Sequence, residues 1–166
     1  MSVIETRTSV RSFTEEPVSE KELISILNAA FCAPSAKNYR PYELIVIRDR
    51  EILHELSASC EFARMIEKGS LAIAVTGDKE KQPVKELLVA DCAAVTQNML
   101  LRIEELGLGG CWCGIMWDGN WYPYVRKALK LPEHIEPISI VAVGHAKRKR
   151  QPKERFEENK IHQNIW

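Results

Sequence analysis

Five consecutive apolar residues, from Leu71 to Val75, constrain the fold of this chain more than any other stretch. A strand with one face in water alternates apolar and polar residues, whereas this run has no polar position. Such a run is typical of a strand that is covered on both faces. We therefore expect a sheet with other elements packed against each side of it.

Three further runs have strand character, and helical patterns separate them. We predict these strands at Tyr42–Ile47, Gly109–Ile115 and Pro137–Val143. The helices are predicted from the spacing of apolar residues and from end signals, such as the capping box formed by Ser19 and Glu22. They lie, in chain order, between Ser19 and Pro34, between Asp49 and about Ile66, between about Pro83 and Leu106, and around Tyr124–Leu129. This alternation favours a layered α/β or α+β domain.

Length and composition indicate one soluble domain spanning residues 1–166. The chain is 45% apolar and 28% charged, and it has no apolar run long enough to cross a bilayer. Its N-terminus has no apolar signal core, so we expect a cytoplasmic protein whose five cysteines stay reduced.

The segment from Arg7 to Phe13 reads Arg-Thr-Ser-Val-Arg-Ser-Phe, with an arginine on each side of a hydroxyl. Arg7, Ser9 and Arg11 share one face of an extended chain, and the two arginines also share one face of a helix. Two guanidinium groups that converge in this way can bind one small anion, such as a phosphate. A solvated N-terminal arm explains the same segment equally well when the segment is taken alone.

The net charge is zero but unevenly distributed. Residues 145–166 form a C-terminal tail that carries +4, including Lys149 and Arg150, while the first 144 residues carry −4. A basic tail could bind nucleic acid, a ligand phosphate or an acidic partner surface. Nucleic acid is the least favoured of the three, because no aromatic residues interleave the basic ones. The tail ends in Ile161, Ile165 and Trp166, which predicts that it docks on another surface.

The sequence lacks the residues that several common kinds of nucleotide-binding, metal-binding and catalytic site require. The chain has no G-x-x-x-x-G-K-[ST] loop, and Gly107–Gly110 follows a helix rather than the strand that a dinucleotide fingerprint requires. The four histidines are scattered, and only Cys111 and Cys113 are close cysteines, so neither a zinc site nor a catalytic triad is indicated. We expect these two thiols to be buried on one face of a strand, beside glycines that would let another backbone or a ligand approach.

Four blocks of this chain, in order, resemble the flavin-dependent nitroreductase family in its shorter form. The blocks are Arg7-x-Ser9-x-Arg11-x-Phe13, the loop Pro34–Pro41, the glycine-rich strand through Cys113-Gly114, and Gly144 followed by Lys153-Glu154-Arg155 and a terminal tryptophan. The resemblance covers nearly the whole length. It implies an α+β, three-layer fold with a central mixed, mostly antiparallel sheet flanked by helices, in an intertwined homodimer whose C-terminal tails pack on the partner subunit.

The resemblance also implies an FMN cofactor at the dimer interface. Residues at the positions of Arg7, Thr8, Ser9 and Arg11 would bind its phosphate, ribityl chain and pyrimidine edge, and Lys153 and Arg155 would close on the phosphate. The partner subunit would supply Pro34, Ser35, Ala36 and Asn38, and backbone N–H groups near Cys113 and Gly114 would reach the flavin N5. NAD(P)H would reduce the flavin, which would then reduce a nitroaromatic or quinone-like acceptor by a ping-pong mechanism. The protein would need no acid, base, nucleophile or metal of its own, and no nucleic acid or membrane partner.

Two positions depart from the family pattern, with Arg40 where glutamine is common and Tyr42 where tryptophan is common. These changes leave the contacts of the loop open. An aromatic cluster could line a substrate pocket or pack in the core or dimer interface, and it consists of Trp117, Trp121, Tyr122 and Tyr124. The alternative function is a flavin-binding carrier or sensor that does not turn over nicotinamide substrates.

Overall fold

A four-stranded antiparallel sheet forms the centre of the computed structural model, which describes residues 2–148 and 151–166. Its strands are β1 (Tyr42–Ile47), β2 (Leu71–Asp78), β3 (Gly109–Gly114) and β4 (Ile135–Gly144), in the order β1-β2-β4-β3. The two central strands, β2 and β4, are buried along their whole length. The prediction from the apolar run Leu71–Val75 is therefore confirmed.

Helices cover both faces of this sheet and make a three-layer α+β fold. They are α1 (Val3–Thr6), α2 (Glu20–Phe31), α3 (Arg50–Ala58), α4 (Lys85–Glu105) and α5 (Tyr122–Ala128), with single 3-10 turns at Ala36–Asn38, Glu61–Ala63 and Glu158–Lys160. The pleat of β2 separates two cores, because odd and even residues of a strand point to opposite faces. Ile73 and Val75 pack in one core with residues of α2 and α4. Ala72 and Ala74 pack in the other with residues of α3 and α5.

Two helices follow their sequence signals closely. Ser19 caps α2 with the predicted capping box, in which its hydroxyl accepts the Glu22 N–H at 3.3 Å and the Glu22 carboxylate accepts the Ser19 N–H at 2.8 Å. The long helix α4 ends one residue before Leu106, and Gly107 follows it with a φ of +78°, the left-handed conformation that glycine adopts without strain.

The prediction that the helix after Asp49 runs to about Ile66 is wrong. Asp49 caps α3 as expected, but the helix ends at Ala58 and Cys60 is extended, with φ −151° and ψ 119°. The Ser59 hydroxyl donates to the Leu56 carbonyl at 3.0 Å, and the Trp121 indole donates to that same carbonyl at 3.1 Å. These bonds compete with the backbone ladder that would continue the helix. The segment after α3 is therefore released, and Cys60–Ala63 and Met65 line a cavity.

The N-terminal arm, residues 7–14, is extended and crosses the end of the sheet. Val10 N–H donates to the Gly110 carbonyl of β3 at 2.9 Å, and Thr14 N–H donates to the His145 carbonyl just after β4 at 2.8 Å. Ser9 forms a parallel bridge with Gly110 beside the otherwise antiparallel strands. A Cβ on Gly109 would lie 2.8 Å from the Val10 side chain, so the arm needs glycine at this position. The close approach predicted for this strand is thus made, at Gly109 and Gly110, by another backbone.

Candidate functional site

The anion cavity, as we name it, lies between the N-terminal arm and the C-terminal tail. It has a volume of about 660 Å³, and its lining residues are Arg7, Thr8, Ser9, Arg11, Gln151, Lys153 and Arg155. The arm is held on β3 and the tail follows β4, which is the neighbour of β3 in the sheet. The structure thus brings together all six residues from the two ends of the chain that were predicted to bind the cofactor.

The electrostatics of the anion cavity favour a negatively charged ligand. Its lining has four positive charges, which are the guanidinium groups of Arg7, Arg11 and Arg155 and the ammonium group of Lys153. The described lining includes no carboxylate. The hydroxyls of Thr8 and Ser9 add uncharged donors. Guanidinium groups bind phosphate oxygens in paired hydrogen bonds, so a phosphate monoester fits this donor set. Lys149 and Arg150, which belong to the predicted basic tail, lie outside the described residues.

The ring cavity, as we name the adjoining pocket, is about 410 Å³ and shares Arg11 with the anion cavity. One wall comes from the segment after α3, with Cys60, Glu61, Phe62, Ala63 and Met65. The other comes from β3 and α5, with Cys111, Trp112, Cys113, Gly114 and Trp121. A Cβ added to Gly114 would meet nothing closer than the Trp112 indole nitrogen, at 3.9 Å. The backbone at Gly114 is therefore open to a ligand.

The predicted loop residues Pro34, Ser35, Ala36 and Asn38 line neither of these cavities in the chain itself. Their loop is nevertheless tightly specified. Ala36 N–H donates to a carboxylate oxygen of Asp91 on α4 at 2.8 Å, and Ser35 accepts the Arg40 N–H at 2.9 Å. Asn38 is exposed and, like Lys37 and Arg40, has a positive φ. This placement is compatible with a loop that is presented outward to a second subunit.

The two departures from the family pattern stabilise this same loop. The Tyr42 side chain is buried, and its hydroxyl donates to the Ala33 carbonyl at 3.2 Å. The Arg40 guanidinium donates to the Tyr42 hydroxyl oxygen at 3.4 Å. Both residues therefore fasten the start of β1 to the loop rather than entering either cavity.

Comparison of the sequence with models of known protein families identifies the family of this chain. The model of the Nitroreductase family matches residues 4–63 and 62–145. The chain belongs to the nitroreductase family. It is accordingly an oxidoreductase, and the resemblance read from the four sequence blocks is confirmed.

Individual relatives of this nitroreductase agree in length and fold. A protein of Archaeoglobus fulgidus, provisionally named NADH dehydrogenase/NAD(P)H nitroreductase, is 35% identical over 171 residues, which cover 100% of this chain and 98% of the relative. The crystal structure of a similarly named protein of Parabacteroides distasonis is 35% identical, with a TM-score of 0.94 over 99% of this chain and 96% of that chain. An FMN-dependent nitroreductase of Clostridium difficile has a TM-score of 0.91 at 29% identity, over 99% of both chains.

One residue of the aromatic cluster lines the ring cavity, and the other three lie outside it. Trp121 is buried in the wall of the ring cavity, where its indole N–H donates to Leu56 and Ser59. Trp117 packs against the α2/α4 core under the Lys85 ammonium, which lies 4.2 Å from its ring centroid. The Tyr122 hydroxyl binds the buried Glu136 carboxylate, and Tyr124 is half exposed. Among these four, Trp121 alone lines a cavity described above.

Two features of the site had no clear sequence signal. The segment Cys60–Met65 enters the ring cavity only because α3 stops early. The serines at 57 and 59, which bond readily to nearby backbone groups, were the one local hint of that stop. Asp91 is buried, and one of its carboxylate oxygens has no hydrogen-bond partner among the described residues. Nothing in the sequence links Asp91 to Ala36, which is 55 positions away.

Residues 2–148 and 151–166 contain neither a membrane-spanning helix nor a cluster of metal ligands. No helix there is long and apolar enough to span a membrane. No group of three or more His, Cys, Asp or Glu side chains in that part of the chain is arranged to hold a metal ion.

Proposed function

We propose that this nitroreductase is an FMN-dependent oxidoreductase that passes electrons from NAD(P)H to a nitroaromatic or quinone-like acceptor. The observation that carries the proposal is the juxtaposition of the anion cavity and the ring cavity, joined at Arg11. A dianionic phosphate requires several charged donors, and a flat ring system requires a separate, mainly apolar slot beside them. Relatives named FMN reductase (NADPH), from Bacillus subtilis, and FMN-dependent nitroreductase support the choice of cofactor.

Each predicted residue has a role in this proposal. Arg7 and Arg11 bind the phosphate side of the cofactor together with Lys153 and Arg155, and Thr8 and Ser9 donate hydroxyl hydrogen bonds. Each charge-assisted bond contributes about 1.5–3 kcal/mol. The backbone near Cys113 and Gly114 would lie at the reactive edge of the ring, where Gly114 has no side chain to block access.

The chain's contribution to catalysis is positioning and electrostatics. FMN, when bound, supplies the redox chemistry, taking a hydride from NAD(P)H and passing its electrons to the acceptor in turn, in a ping-pong sequence. Arg11 places a positive charge at the junction of the two cavities, where negative charge is stabilised. Trp121 and Phe62 supply aromatic surface to the walls of the ring cavity.

The site is completed by a second copy of the chain. We infer a homodimer in which the Pro34–Asn38 loop of one subunit meets the ring cavity of the other, because those residues line neither cavity of their own chain. The apolar residues of the tail support this arrangement, since Trp166 is 98% exposed and Ile165 81% exposed in the single chain. Five unpaired cysteines fit a reducing compartment, so we place the protein in the cytoplasm.

Anaerobic mixing of the FMN-loaded protein with NADH or NADPH tests the function. We expect loss of the visible flavin absorbance, and its return when a nitroaromatic or a quinone is added. Replacing Arg155 by alanine should reduce flavin loading, whereas K160A should not, because Lys160 lies outside both cavities and pairs with Glu157 at 2.6 Å. Flavin that binds but stays unbleached over minutes would instead identify a flavin carrier or sensor. Failure to bind FMN would overturn both.

A further inference from the structure

Four sulfur atoms are concentrated in the ring cavity. Its walls contain three of the five cysteines, Cys60, Cys111 and Cys113, together with Met65. The Cys113 sulfur lies 3.4 Å from the Met65 sulfur. The two other cysteines are elsewhere, with Cys32 exposed after α2 and Cys92 buried in α4. Nothing in the electron-transfer function proposed above uses these thiols.

Cys111 and Cys113 form a closely spaced pair on one face of β3. Alternation along the strand buries both thiols and leaves Trp112 between them on the opposite face. Residues two apart in a strand have Cα atoms roughly 6.6 Å apart. That distance lies at the upper end of the usual disulfide range of about 4.4–6.8 Å. The pair is therefore better suited to bridging by an inserted atom than to a direct S–S bond.

The charges around the pair make one member a nucleophile. The neighbouring Cys113 thiol lowers the pKa of Cys111 to about 7, against the opposing effect of burial, and the Arg11 and Arg7 guanidinium groups lower it further. The neighbouring Cys111 raises the pKa of Cys113, and burial raises it further. Cys111 is therefore the more acidic thiol of the pair and the better nucleophile.

We propose that Cys111 and Cys113 form a dithiol site in the ring cavity for trivalent arsenicals and other soft ligands that bridge two thiols. With phenylarsine oxide as the ligand, the arsenic–oxygen bond breaks and two arsenic–sulfur bonds form. The two thiol protons leave with the oxygen as water, so no electron is transferred and no co-reactant is required. Soft sulfur ligands favour soft acceptors of this kind.

On the function proposed above, this site also competes with the flavin for the ring cavity. Cys111 lies in the ring cavity, where the flavin ring is proposed to bind, and its thiolate is stabilised by the two arginines proposed to hold the phosphate. A bridged arsenical would therefore fill the space of the ring. Bound phosphate would in turn neutralise the arginines and disfavour the thiolate.

Intact-mass spectrometry of the flavin-free full chain treated with phenylarsine oxide tests the dithiol. We expect one phenylarsenic group per chain with loss of one water, resistant to a monothiol and released by a dithiol reagent. Peptide mapping of the unmutated protein should place the bridge on the segment containing Cys111 and Cys113. C111S and C113S should each lose the adduct, and C32S should retain it. No adduct, or an adduct mapped to other cysteines, overturns the proposal even if a serine variant fails to fold.

Saturation with FMN before the arsenical separates the two proposals. We expect FMN to prevent the adduct. If the protein takes up no FMN but still forms the bridged adduct, the oxidoreductase proposal fails while the dithiol site stands. If FMN is bound and the adduct forms at an unchanged rate, competition is refuted.

Discussion

Arg11 is the residue that both cavities share, and the buried residues on either side of it in the arm set its position. Val10 and Phe13 point inward and are buried, at 5% and 4% exposure, so the arm is anchored by its apolar residues. Arg11 and Ser12 lie between them in the sequence and are exposed, and Arg11 lines the two cavities. Anchoring by neighbours in this way orders a long, flexible side chain before any ligand arrives.

Replacing Arg7 and Arg11 together by alanine should release FMN while leaving the fold intact. Two charge-assisted bonds of at least about 1.5 kcal/mol each correspond to an affinity loss of about 10²-fold or more. The flavin-to-protein ratio after gel filtration, followed by fluorescence titration with FMN, measures the effect.

The matched control for that variant is R48A/R102A, which removes the same charge. Arg48 pairs with Glu20 at 2.6 Å and Arg102 pairs with Glu105 at 2.9 Å, and neither lines the anion or the ring cavity. Stoichiometric flavin in the Arg7/Arg11 variant would refute the role of the arm. Equal loss in both variants would show that net charge, rather than position, matters.

The packing of the arm against the ends of β3 and β4 depends on the absence of a side chain at two glycines. Gly109 makes room for Val10, and Gly144 makes room for Phe13, whose ring would lie 3.0 Å from a Cβ at that position. Tight packing of this kind transmits small changes, because protein interiors have few voids. The arm is therefore part of the fold and also part of the candidate site.

We predict that Gly109→Ala destabilises the protein by about 1–3 kcal/mol, the usual cost of overpacking a filled core. Urea unfolding of the flavin-free protein, followed by circular dichroism, measures the free energy of unfolding. Gly114→Ala is the control on the same strand, because its added Cβ would meet nothing within 3.9 Å. If the two variants were equally stable, the arm would not be held on β3 as described.

The sequence predicts the start of helix α3 but not its end. Its start was predictable because the Asp49 carboxylate accepts the N–H groups of Glu51 and Ile52, which are two and three residues away. Its end was not, because the Trp121 indole that binds the Leu56 carbonyl comes from 65 positions further along the chain. A cap that joins residues at most three positions apart can be predicted from the local sequence. A bond to a side chain far along the sequence forms only when the chain packs.

In the whole molecule, the packing of a single chain does not account for the exposed apolar side chains of the C-terminal tail. Phe156 and Ile161 are 72% and 57% exposed, in addition to the terminal residues already described. The described tail residues from 153 onward are all exposed. Apolar side chains that are concentrated in this way mark an interaction surface.

Truncation after Arg155 should weaken the proposed dimer and retain Lys153 and Arg155 for the phosphate. Light scattering over a dilution series should show the truncated chain dissociating at higher concentration than the full chain. The variant I165S/W166S keeps the full length and should shift in the same direction if the apolar contacts are responsible. A truncated product that is still dimeric and still yellow would show that these last residues are dispensable.

The sequence by itself determined the layered sheet, the capped starts of α2 and α3, the family, and the residue types that could hold a phosphate. Each of these depends on patterns within a few residues or on motifs in a recognisable order. Only the tertiary structure decided that Arg7 and Arg155 line one cavity, that Cys60 joins Cys111 in a second, and that Asp91 holds the Ala36 loop. The physical reason is the strand order β1-β2-β4-β3, which sets β3 beside β4 and so brings the two ends of the chain together.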